Sequence, residues 1–246
     1  MENEPSPHTQ LNADTSNRLV DVNVLLLIPT LNEEEAIQQL VQEARESGFV
    51  NILIVDGFSE DRTRDVALSM GVQVVLQEYG KGKGCGVRTG MRLFLEGESN
   101  FLAIIDGDAT NVPSDLVKML SIAQSGRADV VLGSRIRGKR EKAAMPALSV
   151  ASNLIVSFLL GAKFRRLFTD IQTGYWVFTR EAVRRIYPEI QSTGFEIELE
   201  MFMRIMKEKL RVLEAPVGFR TRKGKTKFSF KLRMRSLNYS FKYLFS

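Results

Sequence analysis

Strand-length apolar runs alternate with helix-length stretches through the first half of this chain, and that alternation limits its fold more than any other feature. Val24 to Ile28 is a continuous apolar run, as in a strand buried on both faces, and it stops at Pro29. Ile52–Val55, Val72–Leu76, Phe101–Ile105 and Val130–Leu132 repeat the pattern. Between them the spacing predicts helices. Ala36, Ile37, Leu40, Val41 and Ala44 share one face, Asn32 and Glu35 have capping-box-like spacing, and Gly48 is a stop. Further helices are expected over about Asp61–Met70, from the glycine-rich Gly80–Gly86 loop through Phe94, and over Pro113–Ala123. Repeated βα units imply an α/β domain with a mostly parallel sheet and helices on both faces.

In such sheets ligands bind beyond the carboxyl ends of the strands. Four polar segments directly follow a strand here and should line one edge: Pro29 to Glu33, Asp56-Gly57, Asp106-Gly107-Asp108 and Gly133-Ser134-Arg135. From about Arg137 the pattern changes to helices with short strands, including Gly174–Thr179 and Val212–Phe219, read as the second half of the same domain. The apolar run Val150–Ala162 is broken by Ser152, Asn153 and Ser157 and is too short to span a bilayer, so it reads as a buried or interfacial helix.

Composition narrows the chemistry. The single histidine, His8, lies in a polar leader, Met1 to Asp21, which reads as disordered and has no apolar signal region. A Ser-His-Asp triad, a Cys-His pair and a histidine-built zinc site are thereby excluded. One cysteine, Cys85, excludes an internal disulfide and fits a reducing, cytoplasmic compartment. The formal net charge of +5 is concentrated at one end: Ala215 to Ser246 carries nine Lys/Arg and no Asp/Glu, and the remainder is net acidic. That confinement argues against a nucleic-acid binder.

Two carboxylates two residues apart at a strand end, Asp106 and Asp108, can face one hard cation, with Gly107 allowing close approach of a ligand. Mg²⁺ or Mn²⁺ bridging a diphosphate is the matching pairing; a solvated acidic turn is the bland alternative. The segment Gly80-Lys81-Gly82-Lys83-Gly84-Cys85-Gly86 and the later Gly224-Lys225-Thr226 both fail the spacing of a Walker loop. A basic loop near an anionic donor, or a plain turn, remain the readings for the first. Asp170 is balanced between bracing the Thr173-Gly174 turn and positioning an acceptor. Glu198 and Glu200 read as structural or wall-lining residues on an amphipathic helix.

Taken in order, P-T-L-N-E, V-D-G-x-S-x-D-x-T (Val55 to Thr63), G-K-G-x-G (Gly80 to Gly84), D-G-D and G-S-R resemble the GT-A glycosyltransferases of family 2. The chain is most similar within them to dolichyl-phosphate mannose and glucose synthases, with the V-D-G form nearer an archaeal-type branch. The likeness continues through Asp170 to Tyr175, Gly194-Phe195 to Glu200, and Arg222 to Lys227, and so covers roughly Val24 to Lys227. It implies a GT-A domain over residues 22–227, with a nucleotide-sugar half to residue 135 and an acceptor half beyond. Pro29, Leu31, Glu33 and Val55 would hold the nucleotide, with Asp56 near base or ribose. Asp106, Gly107 and Asp108 would bind metal and diphosphate. Arg135, Arg220 or Arg222, and Lys227 would contact phosphates, with Asp108, Arg135 and Asp170 nearest the chemistry.

The implied reaction is metal-dependent hexose transfer from UDP-glucose, UDP-N-acetylglucosamine or GDP-mannose to a polyprenyl (dolichyl-type) phosphate, with inversion. A soluble acceptor and a non-catalytic membrane-binding module are the alternatives. The tail, residues 228–246, sets Phe230, Met234, Leu237, Phe241, Leu244 and Phe245 at helical spacing among Lys231, Arg233, Arg235 and Lys242. That pattern fits peripheral contact with the cytoplasmic face of a membrane. Strict alternation over Phe228–Arg235 keeps a strand open.

Overall fold

The computed structural model describes residues 23–142 and 144–222; the leader, Lys227 and the basic tail lie outside them. Seven strands form one sheet: β1 Val24–Thr30, β2 Ile52–Asp56, β3 Gln73–Leu76, β4 Phe101–Ile104, β5 Val130–Ser134, β6 Trp176–Thr179 and β7 Val212–Pro216. Their spatial order is β3-β2-β1-β4-β6-β5-β7. Only β6 runs antiparallel to its neighbours, pairing Ile104 with Trp176 on one side and Leu132 with Trp176 on the other. The remaining strands are parallel, so the ends of β1, β2, β4 and β5 all face one edge, as the βα alternation predicts.

Both faces are covered. On one face lie α1 Glu34–Glu46, α2 Thr63–Ser69 and α4 Pro113–Gln124, packed through residues such as Ile37, Leu40, Ala67 and Leu120. On the other lie α3 Lys83–Glu96, α5 Ala147–Lys163, α6 Arg180–Ile186 and α7 Ile197–Lys207, packed through Val87, Leu160, Val183 and Phe202 among others. The five apolar residues assigned to the α1 face are all fully buried. At about 1.5–3 kcal/mol per large apolar side chain removed from water, that stripe alone is enough to dock the helix. Gly48 terminates it with φ 92°, a conformation that favours glycine.

The elements depart from the sequence reading at their ends. No capping box forms on α1: Asn32 sits at φ 48° and spends its side chain on the Glu60 amide, while Thr63 Oγ1 accepts from the Glu33 amide at 2.7 Å. The helix start is thus held by the neighbouring loop. Helix α2 begins at Thr63, because Asp61 turns its carboxylate onto the Thr63 amide and hydroxyl. The glycine-rich loop is shorter than expected, since α3 already begins at Lys83. Strand β7 ends at Pro216, and Phe219 beyond it makes only isolated bridges with Asn111 and Arg140.

Beneath the edge of the sheet, Gly133 of β5 lies against the Tyr175 ring, which its hydroxyl fixes to the Val112 carbonyl. A Cβ at Gly133 would overlap that ring and crowd Val217. Gly133→Ala is expected to destabilise the protein by roughly 1–3 kcal/mol, the usual cost of overpacking a fixed core, read as a lower denaturant midpoint at unchanged m-value. An unchanged midpoint would show that the ring is free to move.

Candidate active site

The strand ends converge through short backbone ties. The Gly57 amide donates to the Thr30 carbonyl at 2.8 Å, and Ile105 donates to Leu27 at 3.1 Å. Gly107 lies so close to β1 that a Cβ there would come within 2.7 Å of Thr30 Cγ2. Glycine is required between the two aspartates for packing, whatever ligand approaches.

Two chains of alternating charge meet at this edge. In the first, Lys83, the first residue of α3, bridges Asp106 at 2.6 Å and Glu198 of α7 at 2.5 Å. Burial works against the ammonium, but the two carboxylates outweigh it and hold the Lys83 pKa above its ordinary value. Burial raises the Glu198 carboxyl; the Lys83 charge works against that, and Asp106 adds to it. In the second chain, Arg222 donates to Asp108 at 2.7 Å and to Glu33 at 2.5 Å, joining the end of β1 to the DxD. The other Asp108 oxygen accepts from the Thr110 amide and hydroxyl, at 3.1 and 2.7 Å. Asp106 is confined from the opposite side, since a Cβ on Gly174 would collide with its carboxylate.

A third group stands at the end of β5. Arg135 donates through Nε and Nη2 to the two oxygens of Asp170, each at 2.8 Å, and its backbone amide adds a third bond to the same carboxylate. Its Nη2 also reaches the Gln172 carbonyl, and the guanidinium lies 5.3 Å from the Phe219 ring centroid. Burial opposes the guanidinium charge, yet Asp170 outweighs it and the Arg135 pKa stays above its ordinary value. Asp170 is fully buried, receives Asn153 Nδ2 as well, and has its own amide held by Glu214 at 2.9 Å.

Of the residues singled out in the sequence, Glu33, Asp108 and Arg222 are joined by direct ion pairs, Asp106 pairs instead with Lys83, and Arg135 and Asp170 form a separate pair. Pro29 is half-buried and Leu31 exposed on the β1 edge, while Val55 is fully buried in β2. Asp56 is also fully buried and turns inward, accepting from the Ser59 amide at 3.0 Å with Arg64 3.5 Å away. Arg220 points away from the aspartates and pairs with Glu43 of α1 at 2.8 Å. Glu200 is structural, holding the Gln191 and Ser192 amides. Sequence reasoning did not single out Lys83 within its basic loop or Asn153 within its apolar run, and it read Glu198 only as wall. The signal in each case was an ionisable or amide group inside a segment otherwise committed to glycine or to apolar residues.

Residues 26–187 match the family described as Glycosyl transferase family 2. Glycosyltransferase AglJ of Haloferax volcanii is 35% identical over 200 residues, covering 80% of this chain and 62% of that protein. The chain thus spans under two-thirds of that relative's length. The UDP-N-acetylglucosamine–dolichyl-phosphate N-acetylglucosaminyltransferase of Methanococcus voltae is 26% identical over 219 residues, covering 81% of this chain and 86% of that one. Among solved structures, glucosyl-3-phosphoglycerate synthase of Mycobacterium tuberculosis, in complex with Mn²⁺, UDP and glucosyl-3-phosphoglycerate, superimposes with a TM-score of 0.72 at 14% identity. That alignment covers 99% of this chain and 86% of the other. The architecture is of the GT-A class. The chain belongs to glycosyl transferase family 2 and is a glycosyltransferase.

Removing one partner of a buried ion pair leaves the other charge uncompensated, at a cost of about 3–5 kcal/mol. Asp170→Ala should therefore lower stability on that scale in urea unfolding, whereas Glu181→Ala, in an exposed helix pair with Arg184, should leave the midpoint unchanged. A small loss at Asp170 would mean that Arg135 swings freely into water.

Proposed function

We propose that this glycosyltransferase moves a hexose from a nucleoside diphosphate sugar to a polyprenyl phosphate of the dolichyl type, inverting the anomeric centre. The observation that carries the reading is the arrangement of charge at the sheet edge. Two carboxylates, Asp106 and Asp108, are flanked by Lys83 and Arg222, and Arg135 stands at the neighbouring strand end. No histidine is present among the residues that form the edge. The dolichyl-phosphate acceptor named for the Methanococcus voltae relative supports the acceptor class, and that relative's UDP-sugar supports a UDP-linked donor.

Asp106 and Asp108 suit a divalent ion: their oxygen donors are hard, and both carboxylates already draw cationic side chains. Gly107 and Gly174 keep side-chain bulk away from them. Such an ion, Mg²⁺ or Mn²⁺, would supply Lewis-acid stabilisation of the departing diphosphate charge. Glu33 and the β1 edge, with Pro29 and Leu31, would seat the nucleotide beside Val55. Asp56 would act by holding the Phe58-Ser59 turn in place. Lys83 and Arg222 are within reach of a diphosphate once they exchange a carboxylate for a phosphate oxygen. Arg135, held flat by Asp170, would orient the acceptor phosphate, while Lys227 at the end of the domain would add charge. A phosphate monoester with a second pKa near ~6 is largely dianionic at pH 7, so the acceptor oxygen attacks without a general base. The half of the domain beyond residue 135 would receive the acceptor.

No helix among the described residues is long and apolar enough to cross a membrane. Peripheral binding to the cytoplasmic face of a membrane, aided by the basic tail, would bring the enzyme to a lipid acceptor.

The test is transfer of labelled sugar into an organic phase, with Mn²⁺ or Mg²⁺, a polyprenyl phosphate, and UDP-glucose, UDP-N-acetylglucosamine and GDP-mannose in parallel. One UDP-sugar should label the lipid, and Asp106→Ala or Asp108→Ala should lower the rate at least about a hundredfold, the scale of losing one preorganised electrostatic group. Donor turnover without lipid label would move the acceptor into water, and no turnover at all would defeat the reading of the site. The anomeric configuration of the labelled product, resolved by NMR or by linkage-specific glycosidases, should be opposite to that of the donor. Retention would overturn the single-displacement mechanism.

A further inference from the structure

Helix α5 is apolar on its outward face as well as on its inward one, where Val156 and Leu160 join the core. Its buried positions include Asn153 and Ser157, whose side chains are spent on Asp170 and on the Ile171 amide. Its outward positions are apolar: Leu148 is 65% exposed, Ile155 59% and Phe158 57%, with Leu154 and Leu159 beside them. The other exposed positions as far as residue 162 are alanines. A helix in water sets polar residues on the face turned away from the core, and this one does not. Leu167, 80% exposed just past the helix, extends the patch. Contiguous apolar surface of this kind marks a docking face.

Charge identifies the partner. Between Glu141 and Asp170 there is no acidic residue, while Lys142, Lys163, Arg165 and Arg166 bracket the helix at its two ends. A groove of about 610 Å³ at the N-terminal end brings Arg140, Glu141 and Met145 alongside Val150 and Leu154, so charged and apolar surface adjoin there. The chain's own tail carries the same sign of charge and is a poor match for such a rim. An apolar stripe with a basic rim fits one surface best, an anionic lipid bilayer.

We infer that the outward face of α5 is a membrane-docking surface that lies in the headgroup–acyl boundary of an anionic bilayer. The inference builds on the lipid-acceptor reading, and it adds a placement. Asn153 on the inner face of α5 bonds Asp170, and Asp170 holds Arg135. Docking would thus set the acceptor-phosphate arginine two side chains from the lipid surface, at the height where a polyprenyl phosphate carries its charge.

Phe158→Trp in the full chain places a fluorophore on this face, against the background of the fully buried Trp176. Vesicles of phosphatidylcholine with phosphatidylglycerol should shift its emission to the blue, and the same vesicles with brominated acyl chains should quench it beyond the wild-type signal. Ile155→Glu combined with Phe158→Glu should reduce co-sedimentation with these vesicles at least about tenfold while leaving the melting temperature unchanged. Emission indifferent to brominated lipid, or a double variant that sediments like the wild type, would overturn the inference. So would a double variant that changes only from dimer to monomer by light scattering, which would assign the face to a second copy. None of these readouts needs donor or acceptor. Insertion without sugar transfer to lipid would defeat the acceptor reading and leave the docking face standing; transfer in detergent without insertion would do the reverse.

Discussion

The carboxylate of Asp170 ties together, beside the β-ladders, segments from both halves of the chain at the sheet edge. It is fully buried and accepts from the backbone and side chain of Arg135 at the end of β5, and from Asn153 in the middle of α5. Its own amide and that of Thr169 are held by Glu214 of β7. A carboxylate removed from water is tolerable only with this degree of satisfaction, because each unmet lone pair carries a desolvation penalty. Three elements distant in sequence are therefore oriented by one group, and the direction of the Arg135 guanidinium follows from it.

The sheet edge shows a related economy of charge. Glu198, Lys83 and Asp106 alternate in sign across α7, α3 and the end of β4, as do Glu33, Arg222 and Asp108 across β1, the segment after β7 and the DxD turn. Without their cations, Asp106 and Asp108 would repel one another and any diphosphate. With them, four carboxylates still face two cations, so the edge keeps a negative surplus that a divalent cation would offset before an anion binds. The contest between burial and neighbouring charge, which leaves Lys83 protonated, belongs to the same balance.

Much of this was legible in the sequence. Continuous apolar runs and period-3.6 patterns located the strands and helices, and the strand-end rule put Glu33, Asp106, Asp108 and Arg135 on one edge. What stayed hidden was pairing between segments far apart in the chain. Nothing local says that Lys83 will reach Glu198, that Arg222 and not Arg220 will turn toward the aspartates, or that Asn153 will face inward. The capping box on α1 failed for the same reason. Asn32 had a partner 28 residues away in Glu60, and Ser59 Oγ accepts from the Asn32 amide that a capping box would have given to Glu35. For α5 the sequence left a buried and an interfacial helix open, because a run that is apolar on most sides does not show which side faces out.

The antiparallel strand β6 has a consequence for how the chain is assembled. It lies between β4 and β5, so residues 176–179 must arrive before residues 101–104 and 130–134 become part of one sheet. While a ribosome is still emitting the chain near residue 135, β4 has an open edge and β5 has no partner. Unpaired edges of that kind recruit other chains. Residues 23–135 are therefore not a unit of folding by themselves. A nascent chain must be kept from its neighbours until the segment beyond residue 135 has emerged and threaded β6 into the gap.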